Sequence, residues 1–304
     1  MEGITDHIYR RLHHKFFPGM DRYYTPFLSP TVHRSLTPKE QRELAKTDFT
    51  VVPQLLTKNP EDFCWMAQQC AELGYTEINL NAGCPSGTVT AKGKGSGMLR
   101  DPDALDGFLE SIFRDAPLPI SVKTRIGFED PEEFSKILEV FNRYPICELI
   151  IHPRVRKAFY SGDVDIDTFR YATENTKIPL CFNGNLCSKN DAENFAKSFP
   201  QVDAVMLGRA LIADPGMLVP GGTSRETLEA FLQALLEEYI ENFGGAKNAM
   251  FRMKEQWRMV LCKFENTEKL GKKLRKTTDI AEFRSITSEI LHTLPMRETI
   301  NPNW

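Results

Sequence analysis

The feature that most constrains this chain is a regular alternation of strand-like and helix-like segments between residues 49 and 208. Short apolar runs end at glycine or at polar residues, and helix-starting signals such as Asn59-Pro60 and Asp101-Pro102 follow them. Strands that alternate with helices at this spacing predict a parallel sheet covered by helices. The predicted strands begin at seven positions, which are Tyr23, Phe49, Glu77, Pro119, Cys147, Ile178 and Asp203.

Polar, charged or reactive residues lie at the end of almost every predicted strand. They are Gln54, Cys84, Lys123, Arg125, His152, Arg154, Asn183, Gly208 and Arg209. An open doubly wound sheet concentrates such groups at one switch point, whereas a closed barrel spreads them over the ends of its strands. We therefore predict an α/β fold, namely a (β/α)8 TIM barrel.

Length and composition set the broad class of protein. The chain has 304 residues, of which 41% are hydrophobic, and this suffices for one barrel with an appendage. No apolar run approaches the roughly 18 residues that a membrane span needs, and the first residues lack a signal-peptide pattern. The seven cysteines show no CxxC pair and no metal-ligand spacing. We expect a cytoplasmic monomer that binds neither a metal nor a membrane.

The last part of the chain has a different pattern. From about Ser224 onward only helical periodicity remains, so we predict a barrel domain at residues 1–222 and an all-helical bundle at residues 223–304. Between Lys247 and Lys276 there are ten Lys and Arg but only three Glu. A solvated helix face is the ordinary explanation of such a run, but its density also suits phosphate binding. The residues in question are Arg252, Lys254, Arg258, Lys263, Lys269, Lys272, Lys273, Arg275 and Lys276.

The stretch from Glu77 to Gly97 predicts where the chemistry lies. A short alternating strand ends in Gly83-Cys84-Pro85, and a glycine-rich loop follows. A buried thiol acting as a small hydrophobe is the usual role of a lone cysteine. Gly83 and Pro85 argue against it here, because they end the strand and favour a loop at the mouth of the barrel.

Two strings resemble one known family. Asn81-Ala82-Gly83-Cys84-Pro85, followed by Val89, Lys92 and Gly95-Ser96-Gly97, is similar to the signature of the tRNA-dihydrouridine synthases, and so is Ser121–Gly127 around Lys123. The resemblance covers about residues 1 to 295. It implies an FMN flavoprotein that reduces uridine to 5,6-dihydrouridine in tRNA, with NADPH or NADH as the reductant. Hydride would pass from reduced FMN to C6 of the uracil, and Cys84 would donate a proton to C5.

The resemblance also implies roles for particular residues. The substrate would be bound by Asn81, Arg125, Arg154 and Arg156. The cofactor would be bound by Met1, Gln54, Lys123, His152, Asn183, Gly184, Asn185, Gly208 and Arg209. The loops at Asn183–Asn185 and Gly208–Arg209 also follow the last two predicted strands, which is where barrels often bind phosphate.

Some departures and alternatives stay open. In the run His152–Gly162, Pro153, Val155 and Ala158 stand where the family usually has Gly, Thr and Gln, so the sequence does not predict which RNA position is recognised. An FMN barrel acting on a small molecule, of the dihydroorotate dehydrogenase or ene-reductase type, is one alternative. A synthase that acts on ribosomal RNA is another, and a flavin-free protein that assists RNA folding is a third.

The beginning of the chain carries one more expectation. Met1-Glu-Gly-Ile-Thr-Asp6 resembles the first strand-to-helix turn of the family, but it starts within that turn. A closed barrel of this class needs about eight strands, so we expect the first strand to be truncated here and the natural chain to start upstream of Met1.

Overall fold

The structure, a computed structural model, describes residues 1–30 and 33–302. Its strands are β1 (Tyr23–Tyr24), β2 (Val51–Val52), β3 (Gln54–Leu55), β4 (Ile78–Ala82), β5 (Ile120–Arg125), β6 (Leu149–His152), β7 (Leu180–Phe182) and β8 (Ala204–Val205). Strands β3 to β8 form a six-stranded sheet in chain order, and β1 pairs with β2. Every pairing is parallel. A parallel bridge between Leu28 and Leu55 joins the segment after β1 to β3.

Helices separate the strands along the chain. They are α1 (His7–Phe16), α2 (Pro38–Glu43), α3 (Pro60–Glu72), α4 (Gly87–Thr90), α5 (Pro102–Asp115), α6 (Phe134–Phe141), α7 (Ile166–Asn175), α8 (Lys189–Ser198), α9 (Arg209–Ala213), α10 (Arg225–Asn242), α11 (Ala246–Val260), α12 (Glu268–Lys276) and α13 (Ile280–Thr293). Short 3-10 helices lie at Gly95–Arg100, Pro131–Glu133, Arg156–Ala158 and Leu261–Lys263. In residues 1–30 and 33–302, none of these helices combines the length and apolarity needed to cross a membrane.

The strand–helix alternation predicted from the sequence is confirmed, and the fold is a (β/α)8 barrel followed by a helical C-terminal region. All seven predicted strand positions carry strands. The predicted strand from Phe49 is split into β2 and β3 at Pro53, because proline has no N–H to donate to a ladder. The strand expected upstream of Met1 would lie outside this sequence and stays a prediction.

The helix starts follow from capping chemistry. The side chain of Asn59 accepts a hydrogen bond from the backbone of Asp62, and Pro60 occupies the first turn of α3. Asp101 accepts from two backbone N–H groups at the start of α5. Each cap satisfies donors that have no partner inside the helix, which is why these boundaries were predictable from the sequence.

The strands enclose a polar interior. Arg22, Glu77 and Glu148 precede β1, β4 and β6, which are not neighbours in the sheet. Arg22 nevertheless forms ion pairs with both carboxylates. Side chains from non-neighbouring strands can meet in this way only on the inner face of the curved sheet. The alternate positions Ile78, Leu80 and Ala82 are fully buried hydrophobic residues, as the two-residue period of a strand requires.

Contacts divide the described residues into two compact units. One contains residues 22–185 and 195–206, and the other contains residues 1–21, 186–194 and 207–304. The second unit has its own hydrophobic core, in which Leu12 of α1 lies with Phe231 of α10 and Trp257 of α11. The predicted boundary between domains after residue 222 stays a prediction.

Candidate active site

The turn that carries Cys84 is held by the last part of β4. The carboxamide oxygen of Asn81 accepts the backbone N–H groups of Gly83, at 3.1 Å, and Cys84, at 2.9 Å. The carbonyl of Cys84 accepts from the hydroxyl of Ser96 at 2.8 Å. Gly95 has a φ of 57°, and a Cβ there would lie 2.8 Å from the Cys84 carbonyl oxygen, so only glycine fits. The half-buried Cys84 is therefore fixed at the carboxyl end of its strand.

The thiols of the chain are reduced in this structure. All seven cysteines lie in the described residues, and none forms a disulfide. Among residues 1–30 and 33–302, no group of three or more His, Cys, Asp or Glu side chains is placed to hold a metal ion.

Lys123 lies on the neighbouring strand, in register with Asn81. Its side chain is half-buried, and no described residue forms a hydrogen bond or an ion pair with its ammonium group. Burial, together with the nearby charge of Arg125, lowers the pKa of Lys123 to about 8. A lysine in this position is stabilised by an electron-rich or anionic ligand.

An amide chain joins β3 to β4 beneath the Cys84 turn. Gln54 Nε2 donates to Asn79 Oδ1 at 2.8 Å, and Asn81 Nδ2 donates to Gln54 Oε1 at 2.8 Å. All three side chains are buried. The oxygen of Asn81 is already used by the turn, so one amide hydrogen of Asn81 remains that no described residue accepts. That hydrogen can be donated to a ligand carbonyl.

Arg125 is used to hold backbone. It is 1% exposed, and its guanidinium donates to the carbonyls of Gly83, Val155 and Phe159 at 3.0, 2.9 and 2.5 Å. Burial lowers its pKa to about 10, an effect that Tyr160 partly offsets. These contacts tie the Cys84 turn to the loop that follows β6. The sequence predicted Arg125 as a substrate contact, and this placement disfavours that role because the side chain is enclosed.

His152 and Arg154 form a second buried cluster. Arg154 Nη1 donates to His152 Nε2 at 2.9 Å, because a guanidinium can only donate. Arg154 Nη2 donates to the carbonyl of Gly162 at 2.5 Å and to Asn185 Oδ1 at 2.9 Å. Burial lowers the pKa of Arg154. Its Nε is buried without a hydrogen-bond partner among the described residues, which leaves a donor for a ligand.

Arg156 lies over the glycine-rich loop, apart from the Arg154 cluster. Its guanidinium carbon is 5.1 Å from the ring centroids of both Phe128 and Phe159, and Nη2 is 3.5 Å from Thr90 Oγ1. Arg100 lies 3.9 Å from the same Phe128 ring and was not predicted as a site residue. A single arginine before a helix cap does not indicate a functional residue in a sequence. Arg100 becomes a candidate only because it shares the Phe128 ring with Arg156.

The segment Asn183–Asn185 follows β7. Asn183 Nδ2 donates to the carbonyl of Met206 at 2.8 Å. A Cβ at Gly184 would lie 2.7 Å from Val164 Cγ1, so glycine is required there for close packing. Asn185 contacts Arg154, as described above. In this way Asn185, His152 and Arg154 are brought together.

The remaining predicted cofactor residues lie in the other compact unit. Eleven of the predicted site residues belong to the unit of residues 22–185 and 195–206, whereas Met1, Gly208 and Arg209 belong to the second one. A Cβ at Gly208 would be 3.8 Å from the sulfur of Met1, so these two residues are neighbours. Gly208 precedes α9, whose first residue is Arg209.

Three cations of the predicted RNA surface have partners within the fold. Lys263 is 4% exposed and pairs with Asp214 at 2.6 Å, and Arg252 pairs with Asp6 at 2.6 Å. Lys254 donates to the carbonyl of Thr277. The charges of these three cations are used within the fold, which disfavours phosphate binding by them, and that role stays a prediction. The other six are exposed, and none has an ion pair among the described residues; they are Arg258, Lys269, Lys272, Lys273, Arg275 and Lys276.

Comparisons with known proteins agree with the motifs in this site. The family model described as Dihydrouridine synthase (Dus) matches residues 1–294. The tRNA-dihydrouridine synthase B of Pasteurella multocida is 27% identical over 218 residues, which are 71% of this chain and 65%, just under two thirds, of that protein. The tRNA-dihydrouridine(16) synthase of Neisseria meningitidis is 25% identical over 309 residues, covering 95% of this chain and 92% of that protein. Among solved structures, a variant of NCR from Zymomonas mobilis covers 75% of this chain and 82% of its own, with a TM-score of 0.49 and 12% identity.

Proposed function

Because this chain belongs to the dihydrouridine synthase family, we propose that it reduces uridine to 5,6-dihydrouridine in tRNA, using bound FMN and taking electrons from NADPH. One observation carries the proposal. The Cys84 turn follows β4, and Asn81 and Lys123 are paired in the carboxyl-terminal halves of β4 and β5. The carboxyl end of the strands is where barrel enzymes hold their active sites. We place this activity in the cytoplasm as part of the same proposal.

The residues of the site fit a flavin. Lys123 has an ammonium group with no protein partner in the described chain, which suits the polar edge of a ring that gains negative charge on reduction. Arg154 has an orphaned buried Nε close to His152 and Asn185, which suits an anionic group. We assign Gln54, Asn183 and Gly184 to the same cofactor, and the roles of Met1, Gly208 and Arg209 stay predictions from the sequence. When bound, reduced FMN supplies the hydride for C6 of the uracil.

Cys84 supplies the proton in this proposal. Addition of hydride at C6 leaves C5 in need of a proton, and a thiol is protonated near neutral pH. The backbone N–H of Cys84 donates to Asn81 and its carbonyl accepts from Ser96, so the backbone of Cys84 is held from both sides. These bonds fix the backbone position from which the Cys84 side chain extends. The thiol therefore delivers its proton from a defined position at the end of β4.

Asn81 and the arginines bind the RNA in this proposal. The remaining amide hydrogen of Asn81 donates to a carbonyl oxygen of the uracil edge. Arg156, with Arg100 beside it on Phe128, contacts the phosphates next to the reacting nucleotide. Arg125 acts through the backbone it holds and does not touch the substrate.

The helical region adds affinity for RNA. We propose that residues 1–222 catalyse the reduction and that residues 223–304 bind the body of the tRNA. The six exposed cations between Arg258 and Lys276 support this, because cations without ion pairs are available to neutralise phosphates.

Mass spectrometry of RNA tests the proposal. Transfer RNA and ribosomal RNA are purified from cells with and without this protein and digested to nucleosides, and dihydrouridine is mapped. We expect one tRNA position to lose dihydrouridine and to regain it when purified protein, FMN and NADPH are added to unmodified tRNA. If dihydrouridine is lost from ribosomal RNA alone, the substrate is ribosomal RNA and not tRNA. A protein that takes up no FMN and whose removal alters neither RNA is not a synthase.

A further inference from the structure

A continuous chain of hydrogen bonds runs through the barrel interior from the amino end of β4 to the Cys84 turn. Ser121 Oγ donates to Glu77 Oε1 at 2.5 Å, and Asn79 Nδ2 donates to Ser121 Oγ at 2.9 Å. Gln54 Nε2 then donates to Asn79 Oδ1, and Asn81 Nδ2 donates to Gln54 Oε1, both at 2.8 Å. The chain ends where Asn81 Oδ1 accepts the N–H groups of the turn.

The chemistry of its first member sets the direction of the whole chain. Glu77 is ion-paired with Arg22, and a carboxylate only accepts hydrogen bonds. Ser121 must therefore donate its single hydrogen to Glu77, so its oxygen is left to accept from Asn79. Each carboxamide can then take only one orientation, because reversing any of them would place two donors or two acceptors face to face.

Burial makes this orientation costly to reverse. Asn79 and Ser121 are 0% exposed, and Asn81 and Gln54 are buried as well. In such surroundings no water replaces a lost partner, and a mismatched buried group carries its full desolvation cost. A reversed Asn81 would point its amide hydrogens at the N–H groups of Gly83 and Cys84, and the turn would lose its acceptor.

We propose that Glu77 is a positioning residue: through Ser121, Asn79 and Gln54 it sets the orientation of the Asn81 carboxamide and thereby the geometry of the Cys84 turn. Its catalytic consequence rests on the proposed function, since the same orientation leaves an amide hydrogen of Asn81 for the uracil carbonyl. The orientation of Asn81 itself depends only on the hydrogen bonds of the chain.

The variant Glu77→Gln tests the claim. Its side chain has one oxygen for two donors, Arg22 and Ser121, and the charged Arg22 competes better for it. The amide of the new side chain would then donate to Ser121, and the hydroxyl hydrogen of Ser121 would lose its acceptor. Ser121 could regain an acceptor only if Asn79 turned its oxygen toward it, and that turn reverses the chain. Glu148→Gln is the matched control, because Glu148 also pairs with Arg22 but accepts from the hydroxyl of Tyr24 and from no member of the chain.

The first measurement does not depend on catalysis. The rate at which iodoacetamide alkylates Cys84 is followed by peptide mass spectrometry, with and without FMN. We expect Glu77→Gln to raise this rate several-fold because the turn loosens, and Glu148→Gln to leave it unchanged. Equal rates in Glu77→Gln and the wild type, or equal increases in both variants, would overturn the proposal. This comparison remains decisive even if the wild-type protein reduces no uridine.

The second measurement uses the reaction. With tRNA as substrate, we expect kcat of Glu77→Gln to fall roughly tenfold or more, while KM for tRNA and reduction of the flavin by NADPH stay unchanged. In a Ser121→Ala background the chain is already interrupted, so adding Glu77→Gln should change neither kcat nor the alkylation rate further. Additive effects of Glu77→Gln and Ser121→Ala would show that Glu77 acts by another route and would refute the relay.

Discussion

The carboxamide oxygen of Asn81 lies 2.9 Å from the backbone nitrogen of Cys84, and this hydrogen bond joins the binding and the acid functions of the proposed site. The oxygen accepts from the turn, so only the remaining amide hydrogen of Asn81 is left to donate to a ligand. A residue that orients the substrate therefore also orients the proton donor. In the proposed reaction, this arrangement would tie the position of the thiol to the position of the uracil carbonyl.

The first prediction concerns Cys84. We expect Cys84→Ala to bind FMN and to be reduced by NADPH like the wild type, but to reduce uridine about 10² to 10⁴ times more slowly, because a general acid is lost. The measurements are flavin absorbance, stopped-flow reduction and dihydrouridine formation. Cys64→Ala, which removes another half-buried thiol, is the control. Uridine reduction by Cys84→Ala at the wild-type rate would assign the acid elsewhere.

The second prediction concerns the stability of the flavin-free protein against pH. The pKa of Lys123 is lowered to about 8 in the folded chain, against about 10.4 for an unperturbed lysine. Between these values the unfolded chain binds more protons, so the free energy of unfolding should rise as the pH rises from about 8 to about 10.4. The gain is at most about 3 kcal/mol, from about 1.4 kcal/mol per pKa unit.

Lys123→Met removes this titration. Urea unfolding at several pH values should show a flatter pH profile for Lys123→Met and a higher stability than the wild type at pH 7. The same variant should retain FMN poorly, because it lacks the positive charge beside the ring. An unchanged pH profile together with unchanged flavin retention would remove Lys123 from the cofactor site.

The third prediction separates positioning from RNA binding. Arg125→Lys keeps the charge but cannot satisfy the carbonyls of Gly83, Val155 and Phe159 together. Each unsatisfied buried carbonyl costs about 1–3 kcal/mol, so we expect a lower melting temperature and faster proteolysis of the loop around Phe159. The affinity for tRNA should stay close to that of the wild type. A large loss of affinity at unchanged stability would restore Arg125 as a substrate contact.

The fourth prediction concerns the salt dependence of tRNA binding. Reversing the charges of Lys272, Lys273 and Arg275 should weaken binding and flatten the plot of log affinity against log salt by about 2 to 3 units, since about 0.7 to 0.9 is lost for each phosphate contact. The control reverses three exposed cations outside the helical tail, Arg42, Lys46 and Lys136. If the salt slope flattens equally in both triple variants, the effect comes from the net charge of the protein and not from a specific RNA surface.

Lys263 gives a second control for the same surface. Lys263→Met leaves Asp214 buried without its charged partner, which typically costs about 3–5 kcal/mol of folding stability. We expect this loss in urea unfolding, and we expect the salt slope of tRNA binding in the folded variant to stay unchanged. A flatter slope at wild-type stability would return Lys263 to the RNA surface.

The sequence by itself determined the features that depend on local chemistry. Each of these features depends on a few neighbouring residues. They are the alternation of apolar residues, the caps at Asn59 and Asp101, and the string around Cys84. Such patterns predict strands, helix starts and a reactive turn because the backbone responds to its nearest side chains. For that reason the barrel, its helical tail and the family were predictable.

Only the tertiary structure decided how the charged and polar groups are used. Arg125 holds the carbonyl of Phe159, which is 34 residues away, and Arg252 pairs with Asp6 across 246 residues. Both were predicted as contacts for RNA, because a sequence shows a cation but not its partner. Likewise, the lowered pKa of Lys123 depends on burial among distant segments. Hydrogen bonding and desolvation act over a few ångströms in space, and separation along the chain does not reveal them.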